Sequence, residues 1–317
     1  MPSSVSADIL SDASPGEAPA ANAAARPRFP LLSMCLAMLL VGATAPLGEV
    51  ALRGMGLPQL LAVRLVLAWA VLRALSPGSG AVPRLEPRHW AVLALQALSG
   101  VVVFNACLWL GMEGGGAAAA GVFTSATPAV MVLLGVVLFR ELPGLRALGG
   151  VGLCVVGVLA ARDVFGSGFG SGAAWSPLGS DALLLAAVAG ESVFLLALKW
   201  LPAWLTPLEA ARCITLLGFF MVLPWAVWTF DPAAMFEAGF GAWLAVAALG
   251  VLVTAGGYVL WFRGVGSASA SQAAVITGLM PVSAVLSSWL LSGAAPSGGQ
   301  VLGCLAVGLG IWLSAGK

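Results

Sequence analysis

The reading of the fold turns on residues 128–157, PAVMVLLGVVLFRELPGLRALGGVGLCVVG, and on a second stretch that repeats their punctuation, residues 281–310, PVSAVLSSWLLSGAAPSGGQVLGCLAVGLG. Laid over each other at one constant offset, Pro128 meets Pro281, Pro143 meets Pro296, Gly150 meets Gly303 and Gly157 meets Gly310. Slightly smaller offsets superpose Leu108-Trp109 on Leu260-Trp261, Arg64 on Arg212 and Arg53 on Lys199. Such drift is expected when the loops of two copies differ in length. Working outward from this repeat, the chain divides into two halves, residues 30–162 and 180–317, joined by a glycine- and serine-rich linker over 163–179.

Composition says what the halves are made of. The 317 residues are 60% apolar and 9% charged, against about 45–50% and about 25% in a soluble domain. So few charges cannot clothe a soluble surface of this size. The 14 basic and 13 acidic residues nearly cancel, which leaves no basic face for nucleic acid. A bilayer core needs about 20 helical residues per crossing. On that ruler ten segments emerge, near 31–50, 58–75, 90–110, 117–139, 145–161, 180–200, 207–228, 240–262, 271–291 and 298–315. The fold expected is all-α and polytopic: ten transmembrane helices in two five-helix repeats. Five is odd, so the second repeat enters the membrane in the opposite sense, an inverted duplication found in many secondary transporters. Residues 1–29, rich in Ser, Ala and Pro, are expected to be a disordered cytoplasmic tail. Arg26 and Arg28 before the first apolar run also fit a secretory signal, but the run is longer than a typical signal core and its loss would break the repeat.

Orientation follows from the basic residues. With the amino terminus inside, most of them fall on the cytoplasmic side, only Arg53 and Arg162 fall outside, and Arg64 and Arg212 lie within segments. Both termini are therefore expected in the cytoplasm and the 163–179 linker in the periplasm. The preference for Arg over Lys, with abundant Ala and Gly, points to a GC-rich bacterium and its inner membrane. Five cysteines lie far apart inside apolar runs and read as small buried hydrophobes. With one histidine, His89, no metal site, cofactor or enzyme constellation is expected. The glycine runs 114–116 and 149–152 lack a following Gly-Lys-Ser and are not phosphate loops.

With these residues in view, the chain resembles the EamA domain of the drug/metabolite transporter superfamily. The likeness rests on Arg in the second segment and on a fourth segment with Pro128 that ends in the corner Phe139-Arg140-Glu141-Leu142-Pro143. A glycine-rich fifth segment completes it. Pro281, Pro296, Gln300 and Gly303 carry it in the second half, which departs at Ala294, where the first half has Glu141. The resemblance implies a central cavity between the repeats, lined by the first, third, fourth, sixth, eighth and ninth helices.

Candidate residues for that cavity are those whose polarity is costly in lipid. Glu191 sits about ten residues, ~15 Å, from either end of its segment. A charge at that depth needs a partner, water or a proton. It reads either as a cavity carboxyl that binds a cation or carries a coupling proton, or as a structural acid tied to a neighbouring helix. Asn105, Tyr258, Gln96, Thr254, Gln272 and Trp109 are the further substrate candidates, Thr254 and Tyr258 being four apart on one helical face. Single Ser and Thr side chains, among them Ser99, Thr127, Thr277 and Ser283, could line a wet cavity, but each is more readily expected to bond helices together. Arg64 and Arg212 could attract an anionic substrate, but they lie within a turn or two of a segment end, which favours snorkelling or capping of carbonyls. Trp261 is expected as an interfacial anchor. Pro128 and Pro281 delete a backbone hydrogen bond and are the candidate kinks for gating. The function expected is export of small organic metabolites, such as amino acids or amphiphilic compounds, by alternating access. Its partners would be the small-molecule substrate, the lipid bilayer and protons as a coupling ion. A passive channel, or less readily a membrane-embedded enzyme, is the alternative.

Overall fold

The computed structural model describes residues 29–76, 85–108, 110–111, 126–161, 178–292 and 298–315. Every regular element among them is helical. The first half holds α1, in two pieces Pro30–Gly42 and Thr44–Leu52, then α2 (Leu57–Ala74) and α3. Helix α3 starts as Pro87–Gln96 and passes through a widened turn, Ala97–Val103. Next come α4 (Thr127–Phe139) and α5 (Leu145–Ala161). The second half holds α6 (Leu178–Leu196, closed by a tight turn Ala197–Trp200) and α7 (Pro207–Trp228). A short helical turn, Pro232–Glu237, follows α7, and helix α8 then runs through Phe240–Ala248, a second widened turn Leu249–Gly256, and Gly257–Val265. Then follow α9, in two pieces Ala270–Thr277 and Leu279–Ser292, and α10 (Gly298–Ala315). Residues 1–28 of the expected tail and 163–177 of the expected linker lie outside the described residues, while Leu178 and Gly179 already belong to α6.

Seven stretches are long and apolar enough to cross a bilayer, namely Pro30–Leu52, Leu57–Ala74, Pro87–Leu108, Gly179–Trp200, Pro207–Trp228, Phe240–Val265 and Ala270–Ser287. Three further apolar runs, Thr127–Phe139, Leu145–Gly157 and Val301–Leu313, are shorter. Proline opens α1, α2, α3, α4 and α7 within the first two positions, where its missing N–H costs nothing. Thr206 with Glu209 and Ser269 with Gln272 form capping boxes at the starts of α7 and α9. Side chains such as Val137, Leu142, Leu290 and Trp228 stand exposed, the inside-out arrangement of a chain solvated by lipid.

The duplication seen in the sequence is visible in the packing. Along α5 and α10 the contacts are reciprocal: a methyl group on Gly157 would run into the Gly303 carbonyl, and one on Gly310 would run into that of Gly150. Gly157 matches Gly310, and Gly150 matches Gly303, so the same contact is made twice, as a two-fold axis requires. The low-numbered glycine of one helix meets the high-numbered glycine of the other, so the pair is antiparallel. Only glycine permits this backbone approach, and in lipid, close approach replaces the hydrophobic force that drives packing in water.

The other contacts obey the same exchange. Helix α2 packs on α7, α1 packs on α8, and α6 packs on α3. The widened turns also match, Ala97–Val103 in α3 against Leu249–Gly256 in α8, with five-residue backbone closure in place of four. A large buried cluster centred on Met34, Leu72, Ile214 and Trp261 draws on both halves.

Candidate substrate site

One cavity of about 80 Å³ lies where the halves meet. Its walls are Met38, Val41 and Thr44 of α1, Leu61, Arg64 and Leu65 of α2, and Gly100, Val101, Phe104 and Asn105 of α3. From the second half come Glu191, Phe194 and Leu195 of α6, Val253, Gly257, Tyr258 and Trp261 of α8, and Met280 of α9. The lining is mostly apolar and aromatic, with a few polar groups converging on it, the usual make-up of a small-molecule site.

Two of those groups carry opposite charges. Glu191 is 9% exposed and accepts a hydrogen bond from the Thr127 hydroxyl of α4 at 3.2 Å. Arg64 donates from Nε to the Thr254 hydroxyl at 2.5 Å. Thr254 in turn donates to the Leu249 carbonyl at 2.9 Å, five residues back along α8. That spacing belongs to the widened turn: the hydroxyl closes the loosened backbone and presents its lone pair to the guanidinium. The expectation that Arg64 snorkels to the interface is therefore corrected. It turns inward because Thr254 and the cavity offer it polar contacts that a lipid-facing position lacks. Its repeat partner Arg212 is buried, at 6% exposure, and does not line the cavity.

The remaining candidates separate by place. Asn105 lines the cavity and donates to the Val101 carbonyl of its own helix at 2.7 Å. Tyr258 stacks against Phe194 with ring centroids 5.0 Å apart. Gln96 is fully buried and donates to the Phe194 carbonyl at 2.9 Å, tying α3 to α6 behind the cavity wall. Thr254 is fully buried and reaches the site through Arg64. Gln272 sits at the capping box that starts α9, away from the cavity; the Ser269-x-x-Gln272 spacing announces that role. Trp109 lies outside the described residues. Its match Trp261 is 2% exposed and donates to the Leu195 carbonyl at 2.9 Å, so it forms wall and not interfacial anchor. Pro128 stands in the first turn of α4, and Pro281 follows closely on the break in α9 at Gly278. Ser283 bonds the Leu39 carbonyl of α1, joining two helices as expected of a small hydroxyl, whereas Thr277 bonds the Ala274 carbonyl of its own helix. Among the described residues, no three His, Cys, Asp or Glu side chains gather as a metal site would require.

Against the helix set implied by resemblance, α2 joins the lining through Arg64, while the described part of α4 contributes only through Thr127. The model of the EamA-like transporter family matches residues 28–162 and again 178–316. The chain belongs to the EamA-like transporter family. It is a multi-pass membrane protein of a family that moves small molecules across lipid. It is 30% identical over 264 residues to the uncharacterized transporter YetK of Bacillus subtilis (strain 168), covering 82% of this chain and 78% of that one. A solved crystal structure superposes with a TM-score of 0.74 at 21% identity, over 90% of this chain and 96% of the other, a likeness of fold.

Proposed function

We propose that this transporter is a secondary carrier for small zwitterionic metabolites of the amino-acid type, working outward across a bacterial inner membrane. All ten helices cross the bilayer in this reading, the halves are inverted repeats, and both termini are cytoplasmic. The observation that carries it is the pairing of opposite charges in one aromatic cavity made by both halves: Arg64, held by Thr254, opposite in charge to Glu191, held by Thr127. A guanidinium suits a carboxylate, and a carboxylate suits an ammonium. Phe104, Phe194, Tyr258 and Trp261 would receive an apolar or aromatic side chain. Rocking of the two halves about the α5–α10 crossing would present the cavity alternately to each side. Glu191 would carry the coupling proton in the steps when no ammonium occupies it.

The test is counterflow into proteoliposomes of purified protein. Vesicles are preloaded with L-amino acids, with their decarboxylated amines, or with their deaminated acids. Trans-stimulation by intact amino acids, and little by either truncated set, supports the reading. Flux without trans-stimulation marks a pore, and equal response to amines overturns the role of Arg64.

A further inference from the structure

The two ends of the bundle are fastened differently. At the end carrying the fourth-helix corner, Arg140 adopts a left-handed backbone, φ 56, the only such residue besides glycine among those described. The turn brings Glu141 back under α4, its N–H bonded to the Gly135 carbonyl at 3.2 Å. From there the Glu141 carboxylate holds two elements of the other half. One oxygen is 2.6 Å from the Lys199 ammonium at the end of α6, with Lys199 10% exposed. The other accepts the Ala270 N–H at 2.5 Å, in the first turn of α9. That N–H is one of the donors a helix start leaves open, and the helix dipole there favours negative charge. Lys199 also lies 5.1 Å from the centre of the Phe139 ring, which packs on Trp200. Gly135 lets α4 approach Ala270 this closely, since a side chain there would meet the Ala270 methyl.

At the opposite end the repeat-matched positions do not form this fastening, and the tie among the described residues is a neutral one, Gln59 of α2 donating to the Ala226 and Thr229 carbonyls at the end of α7. By the repeat, Arg53 matches Lys199 and Ala294 matches Glu141. Alanine carries no charge whatever its position. Arg53 pairs instead with Glu49 of its own helix α1 at 3.5 Å, both side chains about three-quarters exposed (73% and 76%). Such a pair ties no second element and is screened by water.

We infer that Glu141, Lys199 and the start of α9 form a one-sided latch that holds the cavity shut toward the cytoplasm at rest. Opening inward requires α4 to part from α6 and α9, and so requires the latch to break; opening outward leaves it in place. The resting carrier therefore faces outward. This goes beyond the substrate reading and needs no substrate to test.

The experiment places a reporter cysteine at Met280 in the cavity wall and labels it with a membrane-impermeant maleimide. Right-side-out and inside-out vesicles of the full-length chain are compared, after subtracting labelling of the parent with its five native cysteines. Without the latch mutation, labelling is slow in inside-out vesicles. Glu141→Gln keeps an acceptor for Ala270 but loses the charge, and Lys199→Met keeps the stem. Each is expected to raise labelling in inside-out vesicles roughly ten-fold, with labelling from the other side falling. Arg53→Gln leaves both rates unchanged. Lys199→Met leaves the cap on α9 intact, so it reports even if Glu141→Gln inserts poorly. No rise in either variant, a rise confined to right-side-out vesicles, or an equal rise with Arg53→Gln overturns the latch.

Discussion

The widened turns of α3 and α8 occupy matching places in the two repeats, yet they carry different side chains. In α8 the turn carries Thr254, whose hydroxyl holds Arg64 of α2. In α3 the aligned residue is Val102, which has no lone pair to offer, and the arginine that matches Arg64 is Arg212 of α7, buried outside the cavity lining. Duplication supplied two copies of a scaffold: a wide turn, a facing helix and an arginine. The two copies differ at this hydroxyl, which in α8 holds an arginine of the cavity. The site is thus asymmetric although the fold around it is nearly two-fold.

The sharpest way to break that comparison is to remove each arginine in turn. Arg64→Met is expected to lower counterflow of the preferred amino acid on the order of 100-fold, since truncating one side of a desolvated charged contact costs about 2–5 kcal/mol. Arg212→Met is expected instead to lower the melting temperature of the detergent-solubilised protein, with recognition by the folded fraction retained. Equal losses of counterflow would put both arginines at the site.

Glu191→Gln comes next. It keeps the shape and the bond with Thr127 while losing the charge. The protein should insert normally, lose response to protons or to the ammonium group, and fall about ten- to 100-fold in counterflow, a span of about 1.4–2.7 kcal/mol. An unchanged pH profile and rate would make the carboxyl purely structural.

Exchanging the hydroxyl tests the asymmetry directly. Thr254→Val makes the second turn resemble the first. It is expected to raise KM about ten-fold through a freed guanidinium, with maximal flux less affected, as loss of one charge-assisted hydrogen bond costs about 1.5–3 kcal/mol. Thr254→Ser should restore most of it, whereas Val102→Thr should change little. The smallest effect is expected at Gln272→Ala, which removes half of a capping box for about 0.5–1 kcal/mol of stability. Its readout is a small drop in melting temperature with counterflow intact.

Much of the scaffold was legible before any coordinates. Hydropathy marks the spans because lipid demands it, and the prolines and glycines of 128–157 and 281–310 mark the repeat because corners and close crossings admit few other residues. Glu191 was legible for the same reason, a carboxyl far from either end of its helix. Arg64 was not. Its distance from the segment end suggests the interface, and the bond that turns it inward comes from Thr254, far away in sequence. The widened turns were invisible too, since no residue type signals five-residue closure. Gln272 could have been placed better, as Ser269 three positions earlier spells a helix start.

Each widened turn holds one residue more than a regular turn would, so the helix beyond it is rotated in phase by about 100° relative to an unbroken one. A deletion of one residue within 249–256 would leave α8 long enough to span and apolar enough to insert. Yet it would swing Tyr258 and Trp261 off the cavity toward the neighbouring helices, so the half of the aromatic wall that α8 supplies depends on its being wound with one residue to spare.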